Sequence, residues 1–143
     1  MRTALVNGRI LAGDGVVSGQ TLLLSGSRME ALVDPGDSRC RKAAIVDIEG
    51  QLLLPGFIDV QVNGGGGVLF NDDPSPESIR AIGAAHRRFG TTGFMPTLIS
   101  DDLQTIGRAI DAVQWALDGG MPGVLGIHIE GPFLNSARRG VPS

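Results

Sequence analysis

Two segments of the 143-residue sequence put reactive side chains at regular spacing on otherwise apolar strands. One is GIHIEGPFLN, Gly126 to Asn135; the other is GFIDVQVNGGGG, Gly56 to Gly67. A strand alternates its side chains between two faces. Ile127 and Ile129 therefore face one way, and His128 and Glu130 the other. In the Gly56 to Gly67 segment Ile58, Val60 and Val62 share one face, and Asp59, Gln61 and Asn63 share the opposite one. A carboxylate on such a strand is rarely buried unless it is paired or bound to a metal. Something opposite Glu130 must therefore favour negative charge. Residues i and i+2 of a strand lie about 7 Å apart. If both strands belong to one parallel sheet, their C-terminal ends bring Asn63 and Glu130 toward a common centre.

Each residue also has a plainer reading. Glu130 can be a structural carboxylate held by an arginine or by backbone N–H groups. His128 can be a hydrogen-bonded core histidine, and Asp59 can tie down the loop that follows it. The run Gly64 to Gly67 lacks both the Walker lysine and the G-x-G-x-x-G context, so it reads as a flexible turn rather than a phosphate cradle. Thr97, in Met95-Pro96-Thr97, ends a strand and is a candidate hydrogen bonder on the polar face. Trp115 is expected to pack, and His86 to be an exposed helix residue. Cys40 lies among Ser38, Arg39 and Arg41 with no histidine nearby, and reads as an incidental thiol.

The elements that must position these groups fall into two parts. Residues 1–53 read as short strands broken by turn residues: a hairpin at Asn7-Gly8, strands around Ser25-Gly26-Ser27, and a pair around Glu49-Gly50. This is a small antiparallel unit, expected to be part of a β-sandwich. Residues 54–143 read as β-α-β-α-β. The first helix has Ser75 as its cap, Pro76 and Glu77 in its first turn, and a stripe of Ile79, Ile82 and Phe89 ending at Gly90. The second has Ser100 or Asp101 as its cap, with Leu103, Ile106, Ile110, Val113 and Leu117 on one face and Gly119-Gly120 at its end. Alternating strands and helices predict a parallel sheet with right-handed crossovers. The third strand is followed by little more than its loop. This predicts the front of a larger α/β domain, such as a (β/α)8 barrel, whose active site sits at the C-terminal strand ends.

Composition narrows the function classes. Hydrophobic residues make up 42%, enough for a core. The net charge is −3 with no large block of one sign, and Arg41-Lys42 and Arg138-Arg139 are isolated pairs. That gives no footprint for nucleic acid or for an anionic membrane. One cysteine cannot form an internal disulfide. The first residues lack the apolar run of a signal peptide, and no run is long enough to span a bilayer. A soluble cytoplasmic protein is the expectation.

Taken together, LPGFIDVQVNGGGGVLFND, GTTGFMPTLIS and GIHIEGPFLN closely resemble the N-terminal part of the N-acetylglucosamine-6-phosphate deacetylase family of the amidohydrolase superfamily. The resemblance covers nearly the whole chain, weakly before Leu52 and strongly after it. It implies the first three β/α units of a metal-dependent (β/α)8 barrel, preceded by part of a small β-sandwich. It also implies hydrolysis of the acetamide of N-acetylglucosamine 6-phosphate, and a full-length parent that is a homodimer. Glu130 matches the family's metal-binding glutamate, so one divalent ion, zinc, is the implied cofactor. His128 matches the H-x-E-G-P motif as support in the barrel lumen. Gln61 and Asn63 stand where many amidohydrolases carry His-x-His, which resembles the single-metal deacetylases. Val141 takes a substrate-binding position, and Pro142 stands where the resemblance implies His. A frameshift, a truncation or a cut piece would each produce that departure. The resemblance places the general-base Asp and two His ligands beyond residue 143, so the 143 residues alone are expected to be inactive. The rival readings are another amidohydrolase, such as an aminoacylase, and a non-catalytic remnant.

Overall fold

The computed structural model describes residues 1–132. The chain divides into two compact units, one of Met1–Pro55 and one beginning at Gly56. No helix among the described residues is long and apolar enough to cross a membrane.

The first unit holds seven strands: β1 (Arg2–Val6), β2 (Arg9–Ala12), β3 (Gly15–Ser18), β4 (Thr21–Ser25), β5 (Arg28–Val33), β6 (Ala44–Asp47) and β7 (Leu52–Leu53). They form a four-stranded sheet in the order β5-β4-β1-β6 and a three-stranded sheet in the order β3-β2-β7. The hairpin expected at Asn7-Gly8 does not form. There β1 and β2 part into different sheets, and β6 and β7 do the same at Glu49-Gly50. Both turns use positive φ, 56° at Asn7 and 52° at Glu49. The two chains bend side by side: β1 pairs in parallel with β6, and β2 with β7. Between the pairs, the Gly50 N–H donates to the Asn7 carbonyl at 2.6 Å and the Asn7 amide donates to Asp47 Oδ1 at 3.0 Å. The unit is therefore mixed rather than purely antiparallel. Ala4, Ile10, Leu22, Leu23 and Val33 are its buried apolar residues.

The second unit contains β8 (Phe57–Val62), a short hairpin of β9 (Gly64–Gly65) and β10 (Val68–Leu69), then α1 (Pro76–Arg87), β11 (Thr91–Ile99), α2 (Leu103–Asp118) and β12 (His128–Glu130). β8, β11 and β12 form a parallel sheet in the order β12-β11-β8, so β11 is central. The β-α-β-α-β expectation matches this order. Ser75 caps α1 by accepting from the Ser78 N–H at 3.2 Å, and Pro76 takes the first helical position, where its missing N–H costs nothing. Ile79 and Ile82 are fully buried against β11's Phe94 and Leu98. Gly83 lets α1 approach closely, since a Cβ there would meet the Phe94 ring at 2.7 Å.

Several expectations about packing are corrected. Phe89 lies beyond the end of α1 and is 81% exposed. Asp102, not Ser100 or Asp101, caps α2, accepting from the Thr105 N–H at 2.7 Å. The buried stripe of α2 is Thr105, Ile106, Ala109, Ala112, Val113 and Ala116. Leu103, Ile110, Leu117 and Trp115 lie outside it and are exposed. Small alanines, rather than leucines, allow α2 to pack closely. On β8 only Val62 of the predicted helix-facing set is buried; Ile58 and Val60 remain 67% and 60% exposed. β8 is the edge of the sheet, and both helices pack against β11.

Candidate active site at the C-terminal strand ends

Alternation sorts the sheet into two faces. Phe94 and Leu98 of β11 enter the core beneath the helices, and Ile127 and Ile129 pack against the same core. Opposite them stand Asp59 and Gln61 of β8, Met95 and Thr97 of β11, and His128 and Glu130 of β12. This polar face carries five of the residues singled out by sequence, Asp59, Gln61, Thr97, His128 and Glu130. Gln61 Nε2 donates to Glu130 Oε2 at 3.1 Å, crossing from one outer strand to the other with β11 between them. The Asp59 carboxylate accepts from the Gln61 backbone N–H at 3.1 Å, which steadies the strand that presents the amide. An amide bonded to a carboxylate is a charge-assisted contact. A carboxylate can accept about four such bonds, so Gln61 occupies only part of Glu130's capacity.

His128 sits one strand-repeat below Glu130. Its Nδ1 lies 3.2 Å from the hydroxyl of Thr97, which is fully buried and pairs with it in register. That contact fixes the imidazole to the central strand. Asn63 follows β8 directly, and its carbonyl accepts from the Phe70 N–H at 2.8 Å, closing the loop that contains the glycine run.

The glycine run is more structured than a flexible turn. Gly64 and Gly65 pair with Leu69 and Val68 as the β9·β10 hairpin, and Gly66 and Gly67 make the turn with φ of 65° and 87°. His86 is not a free surface residue: its Nε2 lies 2.9 Å from the Gly64 carbonyl. A Cβ on Gly65 would meet that ring at 2.9 Å, so the glycine lets α1 sit against the hairpin.

Two residues near the site were not picked out by type or spacing. Asn71 follows the hairpin. Its Oδ1 accepts from the Ile99 N–H at 2.9 Å, and its Nδ2 donates to the Ile99 carbonyl at 2.9 Å and to Asp101 Oδ2 at 3.2 Å. Ser100, read as a helix cap, instead directs its hydroxyl to the carbonyls of Glu130, at 3.1 Å, and of Gly131. Each bond joins positions about thirty residues apart, so no local pattern announces them. Val141, with Arg138, Arg139 and Pro142, lies outside the described residues.

As a metal centre the set is incomplete. Among the described residues no three His, Cys, Asp or Glu side chains cluster tightly enough to hold an ion. Glu130 offers one donor, whereas a catalytic zinc usually takes three protein ligands. The described residues alone do not fit a bound metal.

No protein-family model matches the chain. It is 33% identical over 141 residues to N-acetylglucosamine-6-phosphate deacetylase of Haemophilus influenzae, covering 99% of this chain and 37% of that protein. It is 53% identical over 88 residues to N-acetylgalactosamine-6-phosphate deacetylase of Shewanella sp., covering 62% of this chain and 22% of that one. The crystal structure of N-acetylglucosamine-6-phosphate deacetylase from Pasteurella multocida superposes with a TM-score of 0.88 at 31% identity, covering 99% of this chain and 37% of the solved one. The match thus spans 22% of the Shewanella protein and 37% of the other two, well under half the length of each. With identity and backbone agreeing along nearly its whole length, the chain belongs to the N-acetylglucosamine-6-phosphate deacetylase family.

Proposed function

We propose that the chain is part of a deacetylase that hydrolyses the acetamide of an N-acetylated hexosamine 6-phosphate, N-acetylglucosamine 6-phosphate, to the free amino sugar phosphate and acetate. The observation that carries this reading is the match to the Haemophilus influenzae enzyme over 99% of the chain. The parallel sheet from Phe57 to Glu130 is then the first three β/α units of a (β/α)8 barrel, and residues 1–53 are part of its β-sandwich. The polar face becomes the barrel lumen, and the strand ends carrying Gln61, Asn63 and Glu130 become part of the active-site floor.

In that setting Glu130 is one ligand of a single divalent ion, zinc, whose other ligands lie outside the described residues. Gln61 holds the carboxylate's orientation, His128 supports the lumen from Thr97, and Val141 contacts substrate. A divalent ion held there with ligands from outside the described residues would supply Lewis acidity. These residues contribute a fixed carboxylate and a fixed amide donor, and the general base comes from elsewhere in the enzyme. A homodimer is the expected assembly of the full-length enzyme.

A second reading concerns the sugar. The 53% identity to an N-acetylgalactosamine-6-phosphate deacetylase favours the C4 epimer as substrate. The test is acetate release by the full-length enzyme carrying this segment, assayed with both epimers. A clear preference names the sugar, and no release from either overturns the deacetylase reading. The 143-residue chain with added zinc is expected to release none.

A further inference from the structure

We infer that Asn71 is a positioning residue for Glu130, acting through the backbone of Ile99; this rests on the deacetylase reading, in which Glu130 works in the reaction. β8 ends at Val62, whose partner on β11 is Pro96. β11 runs three residues further, to Ile99, with no β8 residue beside its last turn of the ladder. There the Asn71 amide takes over. Its oxygen and nitrogen engage the N–H and the carbonyl of Ile99, each at 2.9 Å, as a neighbouring peptide group would. Ile99 is the residue in register with Glu130 across β11·β12. The next residue, Ser100, ties its hydroxyl to the carbonyls of Glu130 and Gly131. One side chain therefore fixes the strand end that holds the catalytic-face carboxylate on its far side.

Asparagine suits this role because its amide offers a donor and an acceptor side by side at any working pH. Aspartate keeps the acceptor for the Ile99 N–H and loses the donor to the Ile99 carbonyl. It also sets two carboxylates face to face, since Asn71 Nδ2 lies 3.2 Å from Asp101 Oδ2. When protonated, that aspartate regains an O–H donor.

The experiment uses the full-length enzyme that carries this segment, or a chimera in which the segment replaces its counterpart in a curated relative. N71A should lower kcat by about 10–100-fold, the range for partners that orient an active-site group. KM should change by less than about twofold, since binding of the ground state is untouched. N71D should lose kcat similarly at neutral pH and recover part of it as pH falls, which N71A should not. S75A, which removes the α1 cap and whose hydroxyl bonds only Asp73 and Ser78, serves as the stability control and should leave kcat unchanged. If the unsubstituted enzyme releases no acetate from either epimer, the deacetylase reading falls and the proposal falls with it. If that enzyme is active while N71A keeps its kcat within about twofold, or while N71A and S75A lose kcat alike, the positioning role alone is overturned.

Discussion

β8 and β11 are neighbours in one sheet, yet they live in different solvents. β11 is central: Phe94, Pro96, Thr97 and Leu98 are all buried, and both helices pack against it. β8 is an edge whose Phe57, Ile58 and Val60 are 60%, 67% and 60% exposed. Parallel strands with apolar faces normally occur with both faces covered. β11 meets that rule and β8 does not. Apolar alternation alone thus specifies which way a side chain points, while position in the sheet decides whether it is buried. The polar face is shared more evenly, since Gln61 on the edge reaches Glu130 across the central strand.

The largest expected effect lies on the covered strand. Leu98 is fully buried beneath the helices. Leu98→Ala should cost about 2–5 kcal/mol, the range for truncating a buried leucine. Urea denaturation of the 143-residue chain measures it, and a loss below about 0.5 kcal/mol, typical of surface positions, would erase the contrast between the strands.

Next comes the bond that joins the two outer strands. Gln61→Ala in the full-length enzyme should lower kcat/KM by about 10–100-fold, as removal of an orienting partner does. Acetate release under initial-rate conditions checks it. An unchanged rate would mean that Gln61 and Glu130 are neighbours without a shared task.

How much of this could be read from residues alone follows the same division. α1 was legible because its signals are local: Ser75, Pro76 and Glu77 sit within three positions and match the cap and first turn observed. The face of α2 was read from large residues, whereas its real contact runs through Ala109, Ala112 and Ala116, which a hydrophobic stripe undercounts. Asn7-Gly8 and Glu49-Gly50 announced sharp turns correctly. Whether such a turn closes a hairpin or changes sheets depends on pairing with residues some forty positions away, as in β1 with β6. On the polar face, Glu130, Gln61 and His128 were visible as types that need partners. Asn71 and Ser100 were not, because their role is to bond another segment's backbone.

A smaller effect should appear in acid, again on the covered side. The Asp102 carboxyl is held below its ordinary value, chiefly by the Thr105 N–H it accepts. A carboxylate with a lowered folded pKa adds stability above its unfolded value, and that stability is lost as pH falls through the folded one. The α2 cap should therefore weaken as pH falls below the ordinary aspartate value of about 3.9. Helical circular dichroism in the 143-residue chain should begin to drop there. In D102N, whose amide oxygen still caps but does not titrate, this part of the drop should disappear.

The smallest effect belongs to the edge, and it tests what covers β8. Val60 is 60% exposed. Val60→Ser in the 143-residue chain should change stability by no more than about 0.5 kcal/mol, as for most surface substitutions. In the proposed full-length barrel the same face would lie under other elements, where a buried hydroxyl lacking a partner costs about 1–3 kcal/mol. Thermal or urea unfolding of both forms, each with and without the substitution, separates the cases. A small effect in the short chain with a large one in the long enzyme means that the edge is completed by further chain. A small effect in both means that β8 keeps an exposed apolar face in the whole enzyme. The proposed barrel would then have to close without covering it.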